Sequence, residues 1–157
     1  MADSALKQAL RKDLTAALKE RDVQAVAAIR MALASISTEE TAGKQAKELT
    51  DDQVIAVIVR EVKRRDEAAE AFRSGGREES ALEEEEQAEV LRRYLPQPLT
   101  DDELQQLVAD AVAQASEQGL SGGKAMGKVM GMLKQPTAGR ADGAAVARAV
   151  KNALGMP

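Results

Sequence analysis

The sequence predicts an all-α protein: an N-terminal helical bundle of about four helices over residues 1–95, followed by a small three-helix C-terminal domain over residues 96–157. Three observations lead there. Of the 69 apolar positions 30 are alanine, and only Phe72 and Tyr94 are aromatic. Such thin side chains suit helices that approach closely and supply too little bulk and β-branching for a sandwich or barrel. Alanine, leucine, glutamate, glutamine, lysine and arginine dominate, and these residues lose least on entering a helix. Apolar residues recur at three- and four-residue spacing between start and stop signals.

Ser4 can cap a first helix carrying Leu6, Leu10, Leu14 and Leu18 at strict four-residue spacing. Arg21-Asp22 interrupts the pattern, and Asp22 can cap a second helix with Val26, Ile29, Leu33 and Ile36 inside. The polar stretch Ser37–Leu49 reads as a long exposed connection with at most one turn of helix. Thr50-Asp-Asp-Gln53 has capping-box form and opens a third helix with Val54, Ile58, Val62, Ala69 and Phe72 on one stripe. Ser74-Gly75-Gly76 stops it. A fourth helix runs from about Glu78 to Leu95, with Ala81, Ala88, Leu91 and Leu95 on one face, and Pro96 and Pro98 end it. So short a connection makes the third and fourth helices an antiparallel hairpin. Arg65 and Glu84 fall inside the two apolar stripes; either they snorkel to water from the stripe edges, or they pair across the hairpin and set its register.

Pro96-Gln-Pro98 is the best domain boundary. Thr100-Asp-Asp-Glu103 repeats the capping box and opens a fifth helix with Leu104, Leu107, Val108, Ala111, Val112 and Ala115, closed at Gln118-Gly119. A sixth spans about Gly123 to Lys134 and stops before Pro136. Asp142 can cap a seventh with Ala145, Val146, Ala149, Val150 and Leu154 inside.

Composition also excludes chemistry. There is no histidine, cysteine or tryptophan, which removes cysteine–histidine and serine–histidine nucleophiles, thiolate or imidazole metal sites and disulfides. No calcium-loop pattern of carboxylates appears, and none is isolated in an apolar pocket by pattern. The expectation is no catalytic residue, no metal and no cofactor. The longest apolar run, Val54–Val59, falls far short of the roughly 18 residues a membrane span needs. The opening Met-Ala-Asp-Ser lacks the basic-then-apolar order of a secretory signal. A cytoplasmic protein that makes no use of a membrane is expected.

The formal net charge of −4 conceals an asymmetry: from Leu120 onward six basic residues stand against the single acid Asp142. A basic segment on an acidic protein points to a polyanionic partner. Within it, Gly123-Lys-Ala-Met-Gly-Lys-Val-Met-Gly-Met-Leu-Lys134 places Met126, Val129, Met130 and Leu133 on one helical face and Lys124, Gly127, Lys128 and Gly131 on the opposite one. Glycine inside a helix costs about 1 kcal/mol relative to alanine, so two of them between lysines require a use. Either a phosphodiester backbone lies against the bare helix between the lysines, or the glycines admit a neighbouring helix at short range. Downstream, Gly139 and Gly143 permit a tight turn, Asp142 closes the last helix terminus, and Arg140 can hold a phosphate alongside that terminus. Arg60, Lys63 and Arg64 on the third helix, and Glu83–Glu86 on the fourth, read as solvated faces.

The phrases Ile29-Arg-Met31, Arg60-Glu-Val-Lys-Arg-Arg65, Ala71-Phe-Arg-Ser-Gly-Gly-Arg77, Tyr94-Leu-Pro-Gln-Pro-Leu99, Gly127-Lys-Val-Met130 and Gly139-Arg-Ala-Asp-Gly143 together resemble the YqeY family, in order and over essentially the whole chain. That family is related to the C-terminal tail region of the B subunit of glutamyl/aspartyl-tRNA amidotransferase and to a module appended to some glutaminyl-tRNA synthetases. The resemblance implies a helical bundle followed by a small three-helix domain that helps hold tRNA by its outer body. Carried over residue by residue, it implies RNA contacts at Lys124, Gly127, Lys128, Gly131, Lys134, Gly139 and Arg140. A carbon–nitrogen ligase activity with glutamine as amide donor belongs to the larger enzyme, and nothing in these 157 residues supplies its chemistry. Two aromatics are too few for base stacking, the usual route to single-stranded sequence readout, whereas lysine, arginine and bare backbone suit a folded RNA. The expected partner is tRNA, with docking on an aminoacyl-tRNA synthetase or amidotransferase as the alternative; DNA is not expected.

Overall fold

Helix caps decide where the elements begin. In the computed structural model, which describes residues 3–157, all regular structure among the described residues is helical. Ser4 accepts from the Lys7 amide to start α1 (Ala5–Glu20), and Asp22 accepts from the Ala25 amide to start α2 (Val23–Thr41). Reciprocal capping boxes, Thr50 with Gln53 and Thr100 with Glu103, start α3 (Asp51–Ser74) and α5 (Asp101–Glu117). The remaining helices are α4 (Glu78–Arg92), α6 (Gly122–Thr137) and α7 (Gly143–Ala153). No helix is long and apolar enough to cross a membrane among the described residues.

Two compact units result, one ending at Leu95 and the other starting at Pro96. In the first, Leu10, Ile29, Ile36, Leu49, Val54, Ile58, Val62 and Leu91 pack into one core. Ala28, Ala32, Ala81 and Ala88 are wholly buried; with only a methyl group at these positions the helices can approach closely. Ion pairs of Arg73 with Glu78 and Glu85, and of Arg92 with Asp66, show α3 and α4 running antiparallel. Gly76 closes their turn at φ +76°, where a side chain would be strained. In the second unit Leu104, Val108, Ala111, Val129, Leu133, Val146 and Val150 form a separate core from α5, α6 and α7.

Several expectations need correction. The second helix does not stop at Ser37 but runs on to Thr41, leaving a shorter connection. Glu40, on that extra turn, receives the Lys7 ammonium at 2.8 Å and the Leu49 amide at 3.2 Å, so tertiary pairing holds a polar segment helical. Lys7 is itself buried, and Leu18 is exposed. Strict four-residue spacing drifts about 40° per step around a helix, so by Leu18 the stripe has left the core and Ala17 takes its place. The fourth helix ends at Arg92, before Leu95: the Tyr94 and Leu95 amides turn to the Leu91 and Arg92 carbonyls at 3.1 and 3.0 Å, and Pro96 keeps Leu95 out of the helical region.

Arg65 is buried, so it does not snorkel, and its partner is not Glu84. It donates to Glu61 Oε2 at 2.9 Å one turn earlier on its own helix, and to Gln87 Oε1 of α4 at 3.2 Å. Glu61 also accepts from Ser35 of α2 and from Arg64, and Gln87 passes the chain on to Gln24 of α2. A polar network thus joins α2, α3 and α4 through a bundle interior otherwise filled by aliphatic side chains.

Candidate nucleic-acid interface

The sixth helix is positioned by its buried stripe. Ala125, Val129, Leu133 and Thr137 face the core of the second unit, at four-residue spacing. Met126 and Met130, expected on the packed face with Val129 and Leu133, do pack against that core, partly buried along its edge. The helix also continues past the expected stop: Pro136 lies inside its last turn, and the Thr137 hydroxyl donates to the Leu133 carbonyl at 2.7 Å. Pro136, lacking an N–H, leaves the Met132 carbonyl without its helical donor.

Opposite the stripe lies the candidate face. Lys124, Gly127, Lys128, Gly131 and Lys134 are all exposed and share about a third of the helix circumference. A Cβ added at Gly127 or Gly131 would meet nothing within 4 Å. Packing within the unit therefore gives no reason for either glycine, and no described residue of the same unit lies against them. No acidic residue occurs between Leu120 and Lys134. Lys124, Lys128 and Lys134 make no ion pair among the described residues, whereas most arginines of the first unit are so engaged. The strip is thus a bare helical backbone with ammonium groups on both sides.

Gly139 and Arg140 do not belong to that strip. Gly139 sits in the turn after α6 at φ +69°, a structural requirement for glycine. Arg140 is a clasp: its Nε donates to the Gln97 carbonyl at 2.9 Å, its Nη2 lies 3.9 Å from Glu103, and its own carbonyl accepts from the Leu99 amide at 2.9 Å. The guanidinium expected beside the α7 terminus instead ties the α6–α7 turn to the segment before α5. Asp142 stands at the N-cap of α7 but makes no side-chain cap bond there, so it does not close that terminus as expected. Arg148 and Lys151, exposed on α7 and outside any ion pair among the described residues, escaped residue-level prediction. The only signal for them was the basic balance of the C-terminal segment.

No group of three carboxylates able to hold a metal occurs among the described residues. In the first unit Arg60 pairs with Glu39 and Arg64 shares Glu61 with Arg65, while Lys63 pairs with no carboxylate among the described residues. Tyr94 donates to Asp13, and burial, then that carboxylate, pushes its phenol above the ordinary tyrosine value. The Glu40 carboxyl is held below the ordinary value by the Lys7 ammonium, whose own pKa is raised in turn by Glu40.

Fold and surface define a small all-helical protein whose second unit displays one uncovered helix lined by lysine and glycine. The Yqey-like protein family matches residues 7–154, nearly the whole chain, and the chain belongs to that family. It is also similar to an uncharacterized protein of Schizosaccharomyces pombe, 33% identical over 93 residues that make up 59% of this chain and 73% of the relative.

Proposed function

We propose that this protein is a non-catalytic tRNA-binding accessory module of the cytoplasm, and that the unit from Pro96 onward is its RNA-binding part. The observation that carries the reading is the exposed α6 face, where Gly127 and Gly131 leave the helix bare between Lys124, Lys128 and Lys134. A phosphate backbone can approach the helix closely there while ammonium groups neutralise it, and contacts of that kind read shape and charge, not base identity. The resemblance of the chain's motifs to a family related to the amidotransferase tail and the synthetase-appended module supports tRNA as the folded RNA. Reversing Lys124, Lys128 and Lys134 together to glutamate abolishes retention of tRNA in a gel shift while the helical circular dichroism stays intact. If about four to six phosphates are engaged, log affinity falls with log salt at a slope of about −3 to −5. Equal retention by the triple variant sinks the proposal.

The same uncovered glycines favour one second reading. A helix of an aminoacyl-tRNA synthetase or amidotransferase can dock on them, since small residues allow close helix approach. Co-purification of such a partner after nuclease treatment favours docking; recovery that vanishes with the RNA favours the first reading.

A further inference from the structure

The exposed apolar side chains of the first unit are not scattered. Leu18 and Val23 lie at the corner between α1 and α2, with Val23 72% exposed. Leu18, Val23, Val26 and Ala27 form the apolar wall of a groove of about 340 Å³, and Arg21 and Arg30 complete it. Among the described residues Arg21 is the one non-glycine with positive φ, 57°, a backbone conformation that side-chain-bearing residues rarely adopt. Arg11, Arg60, Arg73 and Arg92 pair with carboxylates, but Arg21 and Arg30 have no such partner among the described residues. The acids of the same corner, Glu20 and Asp22, line the neighbouring cavity with Asp13 and Tyr94, so they leave the groove.

Its complement stands on α4. Glu79, Leu82, Glu83 and Glu86 share one exposed face, and Leu82 is 48% exposed. Glu78 and Glu85 are spent on Arg73, while Glu79, Glu83 and Glu86 pair with no cation among the described residues. From Glu79 to Glu86 is about 10 Å along α4, and Val23 to Arg30 spans about the same along α2. A leucine set among carboxylates therefore matches an apolar groove edged by arginines in both chemistry and length.

We propose that two copies of this chain associate, Leu82 of one seating in the Leu18–Val23–Val26 groove of the other with its flanking glutamates against Arg21 and Arg30. One leucine and one groove bury far less than the roughly 1,600 Å² of a standard stable interface, so the association is weak and salt-sensitive unless a two-fold axis fills both grooves at once. The occupant is a second copy because both halves of the contact lie on the same chain.

Sedimentation of the full chain from about 10 μM to about 1 mM at low salt tests this, a range that brackets weak association. The expected mass rises from 16.7 kDa towards twice that value. Arg30→Glu alone and Glu86→Arg alone, both at exposed positions, each abolish the rise, and mixing the two variants restores it. Leu82→Gln abolishes it without loss of helix content. A mass that stays at one copy throughout, or a rise indifferent to these substitutions, overturns the proposal. So does a monomeric chain whose Val23 methyl resonances shift only on adding a leucine- and glutamate-rich helical peptide, since the groove then serves a different partner.

Discussion

Replacing Gly127 and Gly131 by alanine separates a surface kept bare for a ligand from one that is merely bare. A glycine in a helix interior costs about 0.8–1 kcal/mol relative to alanine. Neither residue has positive φ, and an added Cβ at either meets nothing within 4 Å, so no steric term opposes the gain. Alanine at both positions then stabilises by about 2 kcal/mol, roughly a 30-fold shift in the folded-to-unfolded ratio. Urea denaturation followed by helical circular dichroism reads this as a higher midpoint at unchanged slope. Binding moves the other way. Two methyl groups between the helix and a closely approaching phosphate backbone act like overpacking, which costs about 1–3 kcal/mol; tRNA affinity accordingly falls about 5- to 150-fold. Stabilised variants that bind tRNA as tightly as the wild type refute the close-approach argument and leave only the lysines. Variants that lose stability refute the open geometry itself.

Glu61→Leu strands the buried Arg65 guanidinium with only Gln87 and the Glu61 carbonyl, and destabilises by about 3–5 kcal/mol. Arg65→Met costs less, since Arg64 and Ser35 still satisfy Glu61, and the double replacement recovers most of the loss; denaturant midpoints that rank the single variants the other way contradict the network. Tyr94 is the only tyrosine and there is no tryptophan, so near-ultraviolet phenolate absorbance reports it alone. Its titration lies above the ordinary value in the folded protein, returns to about 10 in denaturant, and moves down in Asp13→Asn. The signs for stability follow. The neutral phenol contributes stability that is present below about pH 10 and lost as pH rises towards the folded value, and the Glu40 carboxylate contributes stability that is present above about pH 4.3 and lost as pH falls below it. A melting temperature flat at both extremes speaks against both pairs.

What the residues determined by themselves is what acts within a few positions along the chain. Alanine and leucine content, the two capping boxes, Ser4 and Asp22, and the glycine turn after Ser74 all work through contacts to the next turn of backbone. The helices they start were therefore legible, as was the lysine–glycine face of α6. Its visibility depends only on helical period and on the unusual choice of glycine. Ends set by distant partners were not legible: α2 runs to Thr41 because Glu40 meets Lys7, thirty-three residues earlier in sequence.

Burial at the ends of the stripes and the partners of the buried charges were decided by tertiary structure. Leu18 and Lys7 exchange the places their polarity suggests, because helix drift and a carboxylate from another helix set which side meets the core. Arg65 takes Glu61 over Glu84, and Arg140, which reads as a free cation next to a helix end, is drawn to Gln97 and Glu103. A charge can be counted from the sequence, but whether it is free to meet a ligand depends on what the fold brings within about 3–4 Å of it. By that criterion Lys124, Lys128 and Lys134 carry no partner among the described residues, while Arg140 holds the Gln97 carbonyl and lies 3.9 Å from Glu103.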